Sequence, residues 1–238
     1  MTFFRNTMLA SAAAVMALAL SGPAQAVTTD VDVELQLLID VSGSVNSTEF
    51  NLQRQGYVDA FNSMAVKDAI LDTDGGRLGK IAVQAIYWAS NQAIAVDWTL
   101  LNSESAIGTF ATTLGDAARA TGIGSLTGIG SAINFGVAEF TNDFNGTSKV
   151  IDVSGDGRKN TGASVTTARD AALIAGIDRI NGIAIGSNSL LTYYEDNVIG
   201  GTDSFALLST GFDTFGAAIG TKLAAEIKGD DPTTPVIP

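Results

Sequence analysis

The stretch LLIDVSGSVNSTEF, residues 37–50, carries an apolar run that stops on Asp40 and then offers Ser42 and Ser44. Alternate residues of an extended segment point the same way, so these three side chains can face one point. Oxygen-bearing side chains also stand in two later segments, Thr127 in the glycine-rich TGIGSLTGIG and Asp156 at the end of VIDVSGD. Asp40, Ser42, Ser44, Thr127 and Asp156 together supply two carboxylates and three hydroxyls, a set suited to an octahedral hard cation. The chain has no histidine and no cysteine. A Ser-His-Asp or Cys-His nucleophile therefore cannot be built, and zinc would lack its usual nitrogen and sulfur ligands. A metal ion here is held by oxygen, which selects Mg²⁺ first, with Mn²⁺ or Ca²⁺ as alternatives.

The elements that must position these residues can be read from the pattern of apolar positions. VELQLLID (33–40) is a first strand, and Asn46 with Glu49 three residues on marks the start of a helix with a capping box. Phe50, Tyr57, Val58 and Phe61 recur behind it at helical spacing. IAVQAIYWA (81–89) and AIAVDWTL (93–100) read as a hairpin that contributes one antiparallel strand. A helix over 103–120 leads to the glycine-rich loop and a second helix with Ile129, Ile133, Val137 and Phe140 on one face. SKVIDVSGDG (148–157), RINGIAIGS (179–187) and SFALLS are further strands, with SVTTARDAALIAG helical between the first two. The closing helix carries Phe212, Phe215, Ile219, Leu223 and Ile227 at spacings of three and four. The alternation predicts an α/β fold of Rossmann-like type: an open, mostly parallel sheet with one antiparallel edge strand and helices on both faces. In such sheets ligands bind beyond the carboxyl ends of the strands, where all three oxygen-bearing segments fall.

Residues 1–26, MTFFRNTMLASAAAVMALALSGPAQA, have a basic start, an apolar stretch and a small-residue ending. They read as a signal peptide cut after Ala26; the apolar run is shorter than the roughly 20 residues of a spanning helix. The expected product is an exported protein, periplasmic, extracellular or at the cell surface, with one domain over 27–229 and a proline-rich tail over 230–238. Without the leader, 12 basic residues face 25 acidic ones. Such a surface repels nucleic acid and anionic lipid, and the absence of cysteine leaves the fold to its core without disulfides.

DVSGS (40–44), TGIGSAI (127–133) and SGDG (154–157), in this order on an alternating α/β pattern, resemble the metal-ion-dependent adhesion site (MIDAS) of von Willebrand factor type A (vWA) domains. More narrowly, LQRQGYVDAFN, VIDVSGDGRKNTG and YYEDNVIGG are similar to a bacterial vWA-like family known only as a domain of unknown function. The resemblance covers nearly all of the chain after the leader. It implies one divalent cation held by Asp40, Ser42, Ser44, Thr127 and Asp156, the two carboxylates binding directly or through water. It also implies a partner protein or peptide that presents a carboxylate to the open coordination position, and recognition rather than bond-breaking.

Competing readings exist for several of these residues. Asp40 can cap a strand, Ser42 and Ser44 can be turn residues, and Thr127 can cap a helix, but this leaves their joint occurrence at three strand or loop ends unexplained. A shift of register would make Ser125 the ligand in place of Thr127. Asp152 lies within a strand rather than past its end, so it is expected to hydrogen-bond to a neighbouring loop. TGIGSLTGIG lacks the strand before it that a dinucleotide site needs, and no triphosphate-binding loop occurs. DTDGG (72–76) reads as a turn, while Trp88, Trp98 and Phe110 read as core. Tyr193, Tyr194, Glu195 and Asp196 form either an exposed rim or the start of a helix.

Two functions from other classes compete with metal-dependent binding. One is Mg²⁺-dependent phosphoryl transfer with Asp40 as nucleophile, for which a general acid is missing and only Lys159 lies near as a cation. The other is an envelope or matrix component whose metal site only stabilises the fold.

Overall fold

The structure, a computed structural model, describes residues 28–230 together with Met1 and Pro232. Apart from Met1, the leader read at 1–26 lies outside the described residues, as do 231 and 233–238 of the tail. The strands are β1 (Thr29–Asp40), β2 (Ile81–Trp88), β3 (Gln92–Leu101), β4 (Phe144–Gly155), β5 (Arg179–Ile185), β6 (Gly200–Gly201) and β7 (Ala206–Ser209). The helices are α1 (Ser47–Asn62), α2 (Met64–Leu71), α3 (Glu104–Asp116), α4 (Ile129–Glu139), α5 (Val165–Ile174), α6 (Asn188–Asn197) and α7 (Phe215–Lys228).

The strands form one seven-stranded sheet in the order β3-β2-β1-β4-β5, and β5 pairs along its outer edge with both β6 and β7. β1, β2, β4, β5 and β7 are parallel, and β3 is antiparallel to β2 at one edge. β6 adds a second, two-residue antiparallel pairing at the other edge, from glycines with no strand-forming side chains. β1 lies centrally, all but its first residues buried, because Leu35, Leu37 and Ile39 face one helical layer while Leu38 faces the other. The first layer is α1, α2, α3 and α7, packed through Phe61, Ile70, Phe110 and Ile219; the second is α4, α5 and α6, packed through Ile133, Ala168 and Leu190. Each such fully buried aliphatic or aromatic side chain contributes about 1.5–3 kcal/mol, and this core replaces the missing disulfides.

The sheet order reverses between β1 and β4, since the chain leaves β1 toward β2 on one side and returns to β4 on the other. That reversal opens a crevice beyond the carboxyl ends of the two strands. Asp40 is the last residue of β1, and Asp156 follows Gly155 at the end of β4. The strand register pairs Ile39 with Ser154, so Asp156 stands within one residue of the level of Asp40.

Candidate metal centre

The DVSGS turn is held by its own hydrogen bonds and by α1. Asp40 Oδ1 accepts the Ser42 N–H at 2.7 Å, and Val45 N–H donates to the Ser42 carbonyl at 3.1 Å. The chain then enters α1, where Asn46 Oδ1 accepts from the Thr48 and Glu49 N–H groups and Glu49 Oε2 accepts from the Asn46 N–H. This is the expected capping box, which fixes the exit from the turn. Ser42 Oγ lies 3.1 Å from Ser44 Oγ, and Ser44 Oγ donates to Asp156 Oδ1 at 2.6 Å. These are hydrogen-bond distances, and they are also compatible with the separation of about 2.9 Å between adjacent ligands of an octahedral ion with metal–oxygen bonds of about 2.0–2.1 Å. Asp40 and Ser42 are the buried members of the group, and Ser44 is exposed.

Burial, with no cationic side chain in contact, pushes the Asp40 carboxyl up to about 7, and the neighbouring Asp156 carboxylate adds to the rise against opposing hydrogen bonds from Ser42. Burial also raises Asp156, with Glu49 contributing repulsion. A carboxyl raised above its unfolded value binds its proton in the folded state, so the stability it contributes is present below about pH 4 and is lost as pH rises through about 7. The cation-free protein is therefore expected to lose stability between about pH 4 and 7. Asp40→Asn is expected to raise its melting temperature at pH 8 by about 5 °C and to flatten this pH profile. Thermal unfolding in EDTA across that range checks it; an Asp40→Asn profile as steep as the wild type's would contradict the burial argument.

The second loop is brought to the first by backbone contacts. Gly43 N–H donates to the Ser125 carbonyl at 2.8 Å, and Gly128 N–H donates to the Ala89 carbonyl just past β2. A Cβ at Gly128 would stand 2.6 Å from that carbonyl oxygen, so only glycine lets the loop approach. Thr127 is buried, and its Oγ1 and methyl face Gly157, where a Cβ would lie 3.5 Å from Oγ1. Ser125, the alternative candidate, is exposed and meets the first loop through its backbone. Asp40, Ser42, Ser44 and Asp156 thus form one hydrogen-bonded run, and Thr127 stands beside the Asp156 loop.

Two residues outside the sequence reading, and one read differently there, position these loops. Asn160 accepts the Thr127 N–H on its side chain at 2.7 Å and returns its own N–H to the Thr127 carbonyl. Arg119 donates to the carbonyls of Val41 and Ser42 at 2.8 and 2.9 Å and covers the Phe50 ring. Tyr194, read as rim or helix start, is fully buried within α6 and reaches the underside of the Asp40 turn. The expectation for Asp152 is corrected: its partner is Lys222 of α7, with Nζ 2.7 Å from Oδ1, because the strand directs it into the helical layer rather than toward a loop.

Residues 30–231 match the family model described as protein of unknown function DUF1194. The chain belongs to this family. No curated protein matches it. The DUF1194 chain has the vWA fold, shown by its likeness to solved structures. A pilus adhesin, SpaC from Lactobacillus rhamnosus GG in its open conformation, aligns with TM-score 0.60 and 14% identity over 84% of this chain and 30% of its own. Proximal thread matrix protein 1 from the mussel byssus, with a zinc-occupied MIDAS motif, aligns with TM-score 0.56 and 14% identity over 84% and 48%. A von Willebrand factor type A structure from Catenulispora acidiphila gives TM-score 0.56 and 11% identity over 84% and 43%. The DUF1194 chain spans less than half the length of each of these structures, and at these identities the likeness concerns the fold. Among its described residues no group of three or more Asp or Glu is placed to hold a metal, and no helix is long and apolar enough to cross a membrane.

Proposed function

We propose that this protein is an exported, metal-dependent binding module that engages a carboxylate of a partner protein or peptide through a bound divalent cation. The observation that carries the reading is the hydrogen-bonded run of Ser42, Ser44 and Asp156 oxygens, set at the switch point of the sheet with Asp40 buried behind it. Ser42, Ser44, Thr127, Asp40 and Asp156 would hold the ion, Mg²⁺ by the hardness of the oxygens, Mn²⁺ or Ca²⁺ in its place. The ion supplies a positive charge at one spot on a protein of net charge −12. The protein's own residues do the rest: Asn160 and Arg119 hold the two loops in register, and Ser44 and Asp156 leave the site open to solvent. Asp156 also lines a groove with Glu49, Leu52, Phe212 and Asp213, which gives a partner segment room beside the ion. The adhesin and matrix protein with this fold, the latter with a metal in its MIDAS motif, support binding as the role.

Phosphoryl transfer fits less well, because Asp40 is fully buried and its outer oxygen is engaged by the Ser42 N–H. A purely stabilising metal is separated by experiment. The Mn²⁺-loaded protein without its leader is titrated with a glutamate-containing peptide and its glutamine counterpart, and the water-proton relaxation rate is read. The glutamate peptide is expected to lower the rate by displacing metal-bound water while the glutamine peptide leaves it unchanged. Equal responses to the two peptides would refute carboxylate engagement.

A further inference from the structure

Beneath the metal centre three buried polar atoms have no hydrogen-bond partner among the protein's own atoms: Asp40 Oδ2, the Tyr194 hydroxyl and Trp88 Nε1. All three residues are fully buried, where an unpaired polar group is costly. The Tyr194 hydroxyl and Asp40 Oδ2 converge on Gly155, and the edge of the Trp88 ring lies beside them. A Cβ placed there would stand 2.7 Å from the Tyr194 hydroxyl, 2.8 Å from Asp40 Oδ2 and 3.1 Å from Trp88 Cζ2. Two oxygens that close to one point are at most about 5.5 Å apart, within the reach of a single bridging water with ordinary hydrogen-bond lengths. The donor count matches as well. Tyr194 O–H and Trp88 N–H are donors and Asp40 Oδ2 is an acceptor, while a water molecule accepts twice and donates to a carboxylate.

The local sequence builds this arrangement from two glycines. Gly182 on β5 leaves the sheet bare where the Tyr194 ring lies, since a Cβ there would stand 2.7 Å from its Cδ1. Gly155 on β4 leaves room for the hydroxyl. The ring thus crosses two strands and ends under the carboxylate of a third.

We propose that Tyr194 and Trp88 form an inner donor pair that holds Asp40 through one buried water, making Tyr194 a positioning residue of the metal centre. With Oδ1 fixed by the Ser42 N–H and Oδ2 fixed from below, the carboxylate has one orientation toward the serine turn. Its effect on metal affinity rests on the proposed cation site; the Tyr194–Asp40 coupling does not. Outer partners that orient a ligand typically change metal affinity 10- to 100-fold when removed.

The test uses wild type, Tyr194→Phe, Asp40→Asn and the double variant, with calorimetric Mg²⁺ titration and, separately, thermal unfolding in EDTA. Tyr194→Phe is expected to bind Mg²⁺ about 10-fold or more weakly, and the two substitutions are expected to be non-additive in EDTA. Unchanged Mg²⁺ affinity together with additive unfolding effects would overturn the proposal. If the wild type binds no Mg²⁺, the cation site fails alone, and the unfolding cycle still decides the contact. If Tyr194→Phe does not fold, a crystal structure of the wild type decides: one water within hydrogen-bond distance of all three atoms supports the bridge, and its absence refutes it.

Discussion

Lys222→Met is expected to destabilise the protein by about 3–5 kcal/mol, because it breaks a fully buried charge cluster by removing its one cation. Lys222, Asp152 and Glu226 are each without solvent exposure. The ammonium meets Asp152 Oδ1 at 2.7 Å and Glu226 Oε1 one helical turn on, and sits 5.4 Å from the centre of the Phe205 ring. Asn181 Nδ2 donates to the same Glu226 oxygen at 2.8 Å, and its Oδ1 accepts the Phe205 N–H. Two carboxylates face one ammonium, and burial raises both, Glu226 to about 7, with the charge of Asp152 adding to its rise. Without Lys222 both carboxyls are left in the core with no counter-charge. At about 2–4 °C per kcal/mol for a chain of this size, the melting temperature should fall by about 10 °C. The triple variant Lys222→Met, Asp152→Leu, Glu226→Leu is expected to recover most of the loss, since similar-sized apolar groups leave nothing to desolvate. A Lys222→Met protein as stable as wild type would show that the cluster is not an ion pair joining α7 to β4.

The second large effect is on metal binding. Asp40→Ala with Ser42→Ala removes two of the proposed ligands, one hydroxyl and the buried carboxylate, and Mg²⁺ affinity is expected to fall at least about 100-fold. The fold should survive. Asp40 is held in place at a cost of desolvation, and the Ser42 hydroxyl loses its 3.1 Å contact with Ser44 and a bond to the carboxylate that is removed with it. Circular dichroism matching the wild type would attribute the loss to the site; retained affinity in the folded variant would remove these residues from the ligand set.

Much of the frame is legible in the residues themselves because its signals are local. The capping box at Asn46 and Glu49, the hairpin across Ser90–Gln92 and the apolar stripe of Phe215, Ile219, Leu223 and Ile227 each need only neighbouring residues to be read. α2 escapes this reading because MAVKDAIL has eight residues and follows α1 after the single residue Ser63. That residue ends one helix and caps the next through its side chain on the Val66 N–H. The partners of the site are long-range and carry no local pattern. Arg119 reaches a carbonyl 78 residues away, and Asn160 reaches a threonine 33 residues away. Tyr194 sits in YYEDN, a run with the composition of a surface, and is buried only because Gly155 and Gly182 clear two strands beneath it. Asp152 looks misplaced in a strand until α7, 70 residues on, supplies Lys222.

The central claim, that the Asp40–Ser42–Ser44–Thr127–Asp156 loops hold one divalent cation, is tested most directly by calorimetric titration of the protein without its leader with Mg²⁺, Mn²⁺ and Ca²⁺. One site, reversed by EDTA and absent in the folded Asp40→Ala, Ser42→Ala variant, is the expected result. No binding by the wild type, or binding that the double variant keeps in full, would contradict it.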